Sequence, residues 1–287
     1  MELRNQALQV EGLNVSYGSK RAVRNVSLVV PTGVTGLLGP NGAGKSSILR
    51  TVATVQRADS GSVTFDGLDL IGSENLRSVR RLIGYLPQSP GLYPSFRVYR
   101  FVDHVALLKE IGDPSKRRTE VDRVLTAVDL FDRRNDRIAR LSGGMRQRLA
   151  LACTIVGAPE LVILDEPTVG MDPEQRIRFR ELVGRLAQQH VVLLSTHQTD
   201  DVSALCSQVA VMRRGEILYT GTPAGLASRA EGMVWESDVP DERALAAWKT
   251  GDGRARNVGN PPAGALIIPP SLDDGYLLIT DSERAST

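Results

Sequence analysis

The 287-residue chain carries 35 Lys and Arg against 33 Asp and Glu, a formal net charge of +2, with 41% hydrophobic and 24% charged residues. That is the composition of a globular protein with a sizeable core, long enough for one full-sized domain and a smaller attachment at roughly 150 residues per domain, and its balanced charge argues against a dedicated nucleic-acid binder. Apolar runs such as Leu161–Leu164 and Val191–Leu194 fall far short of the ~18 residues that cross a bilayer, and the opening MELRNQALQV lacks the basic-then-apolar pattern of a signal peptide.

Leu8–Val15 and Val23–Val30 alternate apolar and polar residues and predict strands of an antiparallel flank, followed by a turn at 31–33. Val34–Leu38 predicts a short buried strand that enters a glycine-rich loop and a helix from Lys45 to Thr54. Ser62–Phe65 reads as a strand closed by the Asp66-Gly67 turn, and Arg80–Leu86 ends as a strand before Pro87. From Tyr99 to Leu130 the pattern is helical, broken at Gly112-Asp113-Pro114. Helical stripes recur in Met145–Val156 and between Pro173 and His190, while Leu161–Leu164 and Val191–Ser195 are buried strands. Strands alternating with helices of this length predict a mostly parallel sheet covered on both faces. Beyond Gly221-Thr222-Pro223 the character changes. Met233–Val239 and Ala265–Ile268 read as strands and Asp241–Lys249 as a short helix, with a Gly/Asn/Pro-rich stretch at Gly251–Gly264 between them and a frayed SERAST at the end. The cysteines, Cys153 and Cys206, have no metal-ligand spacing and read as small buried residues in a reducing cytosol. His104 and His190 stand in no motif and read as structural.

Gly39-Pro40-Asn41-Gly42-Ala43-Gly44-Lys45-Ser46 matches GxxxxGK[ST] between a strand and a helix. Glycines let successive backbone N–H groups face inward, and the helix that follows offers the positive end of its dipole to phosphate. In this pattern Lys45 reaches the β- and γ-phosphates, Ser46 ligates Mg²⁺, and Ser47 completes the nucleotide-contacting run. The chemistry also needs a carboxylate at the end of a buried strand, which Asp165 supplies, with Glu166 immediately after it. On a regular strand neighbouring side chains point to opposite faces, so one carboxylate is expected to hold the metal and the other to polarise the attacking water.

Leu141-Ser142-Gly143-Gly144-Met145, placed between the phosphate loop and Asp165, resembles the signature motif of ATP-binding cassette (ABC) ATPases, with Met145 where glutamine is commoner. Tyr17 resembles that family's adenine-stacking aromatic residue, Gln88 in Tyr85-Leu86-Pro87-Gln88 its Q-loop, Pro167–Asp172 its D-loop and His197 in Ser195-Thr196-His197 its switch histidine. Six motifs in this order outweigh the false-positive risk that each carries alone. The similarity covers residues 6–225, and Pro270–Tyr276 resembles more weakly the tail of ATPases that serve ABC-2 type exporters.

The resemblance implies an α/β P-loop NTPase fold: an ABC cassette over 6–225 with a helical subdomain at about 89–157, and a small α+β lobe over 226–287. It implies ATP and Mg²⁺ as cofactors and two cassettes sandwiching ATP head to tail, with Ser142, Gly143 and Gly144 of one facing the phosphate loop of the other. The expected roles are general base or water-orienting group for Glu166, γ-phosphate contact for His197, sensor of Mg²⁺ and water for Gln88, and metal site for Ser46, Gln88 and Asp165. One phosphate loop and one signature call for a second copy or a sister subunit. Permease subunits are expected to be separate, with this chain on the cytoplasmic face of the membrane and powering a bacterial exporter; no nucleic-acid partner is expected. The alternatives weighed are a non-transport ABC ATPase of translation or DNA maintenance, which usually carries two cassettes, long coiled coils or zinc-binding cysteines, and a GTPase or kinase, against which stand the missing NKxD segment and the LSGGM run. Leu92, Tyr93 and Phe96, in the loop after Gln88, are expected either to dock a permease or to tuck under their own domain.

Overall fold

Alternating apolar residues draw the first strands onto one face of an antiparallel sheet. In the computed structural model, which describes residues 7–281, β1 (Ala7–Tyr17) buries Leu8, Val10, Leu13 and Val15 and pairs antiparallel with β2 (Lys20–Pro31) and with β4 (Ser60–Phe65). The short β5 (Leu68–Asp69) closes that sheet, whose order is β2-β1-β4-β5. Residue 6, where the cassette is expected to start, and SERAST lie outside the described residues.

Strands buried along almost their whole length form the middle of the central sheet. β3 (Gly33–Leu38), β6 (Ile83–Leu86), β7 (Leu161–Asp165), β8 (Val191–Thr196) and β9 (Gln208–Arg213) run parallel, and β10 (Glu216–Gly221) adds antiparallel at one edge. The order is β10-β9-β3-β8-β7-β6. Strand alternation divides the interior into two cores. Val162, Leu164, Val192 and Leu194 face one cluster, and Leu161, Ile163, Val191 and Leu193 face the other.

The first cluster is covered by α3 (Val98–Leu108), α4 (Pro114–Ala127), α5 (Gly143–Thr154) and α6 (Pro173–Ala187). The second is covered by α1 (Lys45–Val52) and the antiparallel sheet. Helix starts are written in the sequence: Asp113 and Asp172 each accept a backbone N–H at their helix N-terminus, from Lys116 (2.8 Å) and Gln175 (2.8 Å), with proline at the first position. One boundary differs from expectation. Arg80–Leu82 finish α2 (Leu76–Leu82), which Asn75 caps, and the strand begins only at Ile83.

After α7 (Thr199–Leu205) and α8 (Pro223–Ser228), a third, antiparallel sheet has the order β12-β13-β11-β14, built from β11 (Val234–Ser237), β12 (Ala246–Lys249), β13 (Ala255–Val258) and β14 (Leu266–Ile267). The helix expected over 241–249 is therefore absent: its last four residues pair with β13, and β13 itself lies inside the stretch read as irregular. Good helix formers yield here to tertiary pairing. α9 (Leu272–Asp281) returns the chain to the main core, where Leu226 and Leu272 join the first cluster. The boundary expected at 225/226 thus falls within α8. Buried Asp274 accepts the Arg256 guanidinium (2.5 and 3.1 Å) and the Ser271 hydroxyl (2.7 Å), tying α9 to β13.

Candidate functional site

β3 runs straight into the loop at 39–44, and close backbone approach dictates its glycines. A Cβ added at Gly39 would lie 2.3 Å from the Met212 carbonyl oxygen, and one at Gly44, which has φ 109°, 2.3 Å from that of Ala22. The loop thus nests between β2 and β9 and delivers Lys45 and Ser46 to the first turn of α1. Lys45, 5% exposed, donates through Nζ to the carbonyls of Gly39 (2.6 Å) and Pro40 (3.2 Å) and lies 3.2 Å from Glu166 Oε1.

The parallel register places Asp165 beside Ser195. Asp165 Oδ1 accepts hydroxyls from Ser46 (3.0 Å) and Ser195 (2.7 Å), and the buried Oδ2 has no hydrogen-bond partner. A hydroxyl and a carboxylate with a spare oxygen are hard donors suited to Mg²⁺, which takes its remaining ligands from phosphate and water. Among the described residues no group of three or more His, Cys, Asp or Glu is placed to hold a metal ion. Burial, and secondarily the Asp165 charge, push the Tyr85 phenol above its usual range.

Glu166 corrects the alternation argument. It lies one residue past β7 with φ 49°, in the left-handed region, so the alternation of a regular strand does not govern it. Both carboxylates consequently reach the phosphate loop, Asp165 at Ser46 and Glu166 at Lys45. The Glu166 N–H donates to Ser195 Oγ (3.0 Å), and Glu166 Oε2 lies 2.8 Å from His197 Nδ1.

A cavity of about 480 Å³ opens over this cluster; Tyr17, the backbone from Asn41 to Gly44, Ser47 and Gln88 line it with Lys45, Ser46 and Glu166. Gly39 and Pro40 contribute the carbonyls that hold Lys45. Tyr17, half exposed, donates its hydroxyl to Gln56 (2.5 Å) and lies 3.3 Å from Ser47 Oγ, leaving its ring at the cavity rim. Gln88 is exposed just after β6.

Ser142, Gly143 and Gly144 lie elsewhere. Ser142 caps α5 by accepting the Met145 N–H (3.3 Å); Gly143 is exposed; and a Cβ on Gly144 would meet the Gln175 side chain at 2.5 Å. Ser142 and Gly144 border a separate cavity of about 260 Å³ with Arg148, Asp172 and Arg178. One chain thus presents a phosphate loop and a signature face without joining them.

A sequence profile described as "ABC transporter" matches residues 23–169, about half of the chain. The linearmycin resistance ATP-binding protein LnrL of Bacillus subtilis is 35% identical over 229 residues, which are 78% of this chain and 72% of that protein. The chain belongs to the ABC transporter family. It is an ATP-binding subunit of that family, with ATPase activity. The methionine import ATP-binding protein MetN 1 of Listeria monocytogenes is 35% identical over 239 residues, covering 81% of this chain and 70% of that protein. Among solved structures, cbiO1 from Clostridium perfringens, part of the transporter complex cbiONQ, superposes with a TM-score of 0.70 at 28% identity over 78% of this chain and 91% of that one. The expected α/β cassette fold is borne out.

Sequence reasoning did not single out the Ser195 hydroxyl, which touches both Asp165 and Glu166, nor Gln56 beneath Tyr17. The parallel register of β7 and β8 was the signal for Ser195; Gln56 carried none. Among the described residues no helix is long and apolar enough to cross a membrane.

Proposed function

We propose that two copies of this subunit, or this chain and a sister cassette, close head to tail around ATP and drive a separate membrane permease in export. The separation of the signature face from the phosphate-loop cavity carries this reading, because each face holds what the other lacks. The positive end of α5, with the Ser142 hydroxyl and the exposed Gly143, suits the γ-phosphate of nucleotide held by the opposite cassette. Export draws support from the similarity of the tail to exporter ATPases and from the resistance protein LnrL, whereas MetN 1 is an import protein.

Lys45 neutralises the β/γ-phosphate charge once nucleotide displaces its loop carbonyls. Ser46 and Asp165 would hold Mg²⁺, which supplies charge neutralisation at the phosphates when bound. Glu166 accepts a proton from the attacking water, and His197 fixes the Glu166 carboxylate and contacts the γ-phosphate. Gln88, at the cavity rim, would contact the metal and water when they are bound, and it adjoins the loop of Tyr93 and Phe96. Here one earlier alternative divides: Leu92 packs onto the core, whereas Tyr93 is 60% and Phe96 39% exposed. An apolar groove of about 780 Å³, lined by Leu92, Leu107 and Leu108, lies beside them and suits a permease segment. We assign residues 6–225 to the cassette and 226–287 to an accessory lobe, with their junction inside α8 and the subunit peripheral on the cytoplasmic membrane face.

Coexpression with a candidate permease tests this reading. Co-purification and ATP-dependent export from reconstituted vesicles are expected; an ATPase that never associates with membrane protein, or uptake in place of export, refutes the corresponding part.

A further inference from the structure

Asp201, on α7, is 1% exposed. Its Oδ1 receives the fork of Arg180 from α6, through Nε at 3.1 Å and a terminal nitrogen at 2.7 Å. Its Oδ2 receives two hydroxyls, from Thr168 at 2.5 Å and Thr196 at 3.5 Å. Both threonines flank the site. Thr168 stands two residues after Glu166, and Thr196 immediately before His197. Thr196 Oγ1 also accepts the N–H of Gln198 (2.9 Å), so one hydroxyl brackets His197 from both sides.

The two residues so flanked are those that meet at 2.8 Å, Glu166 Oε2 and His197 Nδ1. They come from the ends of different strands, and Glu166 sits at φ 49°, a conformation that persists where its surroundings hold it. The arginine satisfies one oxygen of the carboxylate, leaving the other as a single acceptor shared by both segments. Replacing it with a neutral group leaves Arg180 partly buried without its counter-charge and loosens both attachments together.

We propose that Asp201 is a positioning residue for ATP hydrolysis: through Thr168 and Thr196 it fixes the relative placement of Glu166 and His197. The inference rests on the reading of that pair as the hydrolytic machinery and adds what holds it in register. A misplacement of about 1 Å in such a pair costs up to about 100-fold in rate, so the expected signature is a loss in kcat with nucleotide binding retained.

The test uses the purified full chain with Mg-ATP and compares Thr168→Val, Thr168→Ser, Asp201→Asn and Glu166→Gln. Thr168→Val removes one hydroxyl at constant shape. It and Asp201→Asn are expected to lower kcat about 10–100-fold while ATP affinity by calorimetry stays within about twofold. Thr168→Ser keeps the hydroxyl and is expected to restore most of the rate. The Thr168→Val, Asp201→Asn double variant is expected to be no slower than Asp201→Asn alone, because both act through one contact. Ring resonances of His197, one of three histidines, are expected to move in Thr168→Val and not in Thr168→Ser. Wild-type kcat in folded Thr168→Val and Asp201→Asn, with only thermal stability reduced, overturns the proposal and leaves Asp201 a structural ion-pair partner. Equal losses in Thr168→Ser and Thr168→Val also overturn it. If Asp201→Asn does not fold, the two Thr168 variants decide. Wild-type rate in Glu166→Gln instead removes the underlying role of Glu166, a failure separable from one confined to Asp201.

Discussion

Replacing Glu166 with glutamine separates binding from hydrolysis, and the geometry sets the sign of each effect. Glu166 Oε1 lies 3.2 Å from Lys45 Nζ, and both side chains are only 5% exposed. At an effective dielectric of about 20, two charges at that distance attract by about 5 kcal/mol before desolvation is subtracted. Lys45 is therefore held by Glu166 until phosphate competes for it. Glutamine keeps the shape but ends this competition, so ATP affinity is expected to hold or to rise. Loss of a general base costs about 10²–10⁴ in rate, or about 3 to 5 kcal/mol of transition-state stabilisation. Phosphate release under single-turnover conditions measures the second effect, and calorimetry with Mg-ATP the first. Size-exclusion chromatography with ATP is expected to show a persistent dimer, since nucleotide at the interface is no longer consumed. Wild-type turnover, or an affinity weakened tenfold in a folded variant, refutes the reasoning.

Lys45→Ala removes a charged donor worth about 1.5–3 kcal/mol toward phosphate, so the Kd for ATP is expected to rise about 10–100-fold; unchanged affinity in a folded variant refutes the phosphate-loop assignment. Changing Tyr93 and Phe96 together to serine removes edge contacts to Phe101, whose ring lies 6.0 Å from each, at about 0.5–1.5 kcal/mol per pair. Permease assembly is expected to fail while ATP binding survives, and normal assembly and transport sink the docking role. Burial raises the Asp274 carboxyl, but the Arg256 guanidinium and Ser271 outweigh it and hold the carboxyl below its ordinary value. The stability this gives is fully present above about pH 4 and is lost as pH falls through the depressed value. Asp274→Asn is expected to flatten that acid limb; both tryptophans, Trp235 and Trp248, lie in the appended sheet, so fluorescence follows it directly, and an unchanged acid limb contradicts the argument. Desolvation pushes the thiols of partly buried Cys153 and buried Cys206 up to about 12, so neither is expected to react rapidly with a disulfide reagent at neutral pH in the folded chain, and rapid labelling contradicts this.

What could be read in advance, and what could not, divides along a physical line. The phosphate loop was legible because its chemistry is local: a strand, glycines where backbones approach to van der Waals limits, and a lysine at the first helical turn all lie within a dozen residues. The two cores were legible for the same reason, since alternation along β7 and β8 assigns each side chain to a face. The first failure came where alternation stopped, at Glu166, because one left-handed residue redirects a side chain and nothing in the pair Asp-Glu announces it. The second came in the appended sheet, where residues with helical preference became β12 because β13 offered a ladder that no local window contains. Asp201 belongs with these. Aspartate early in a short helix reads as an ordinary first-turn acid, and only the packing of α6, α7 and the ends of β7 and β8, which brings residues 168, 180 and 196 around it, turns it into a shared acceptor. Residues that contact phosphate announce themselves by local backbone geometry, whereas those that hold them in place are specified by tertiary packing, and so the phosphate cradle could be read directly while the register of its hydrolytic pair had to be built from the fold.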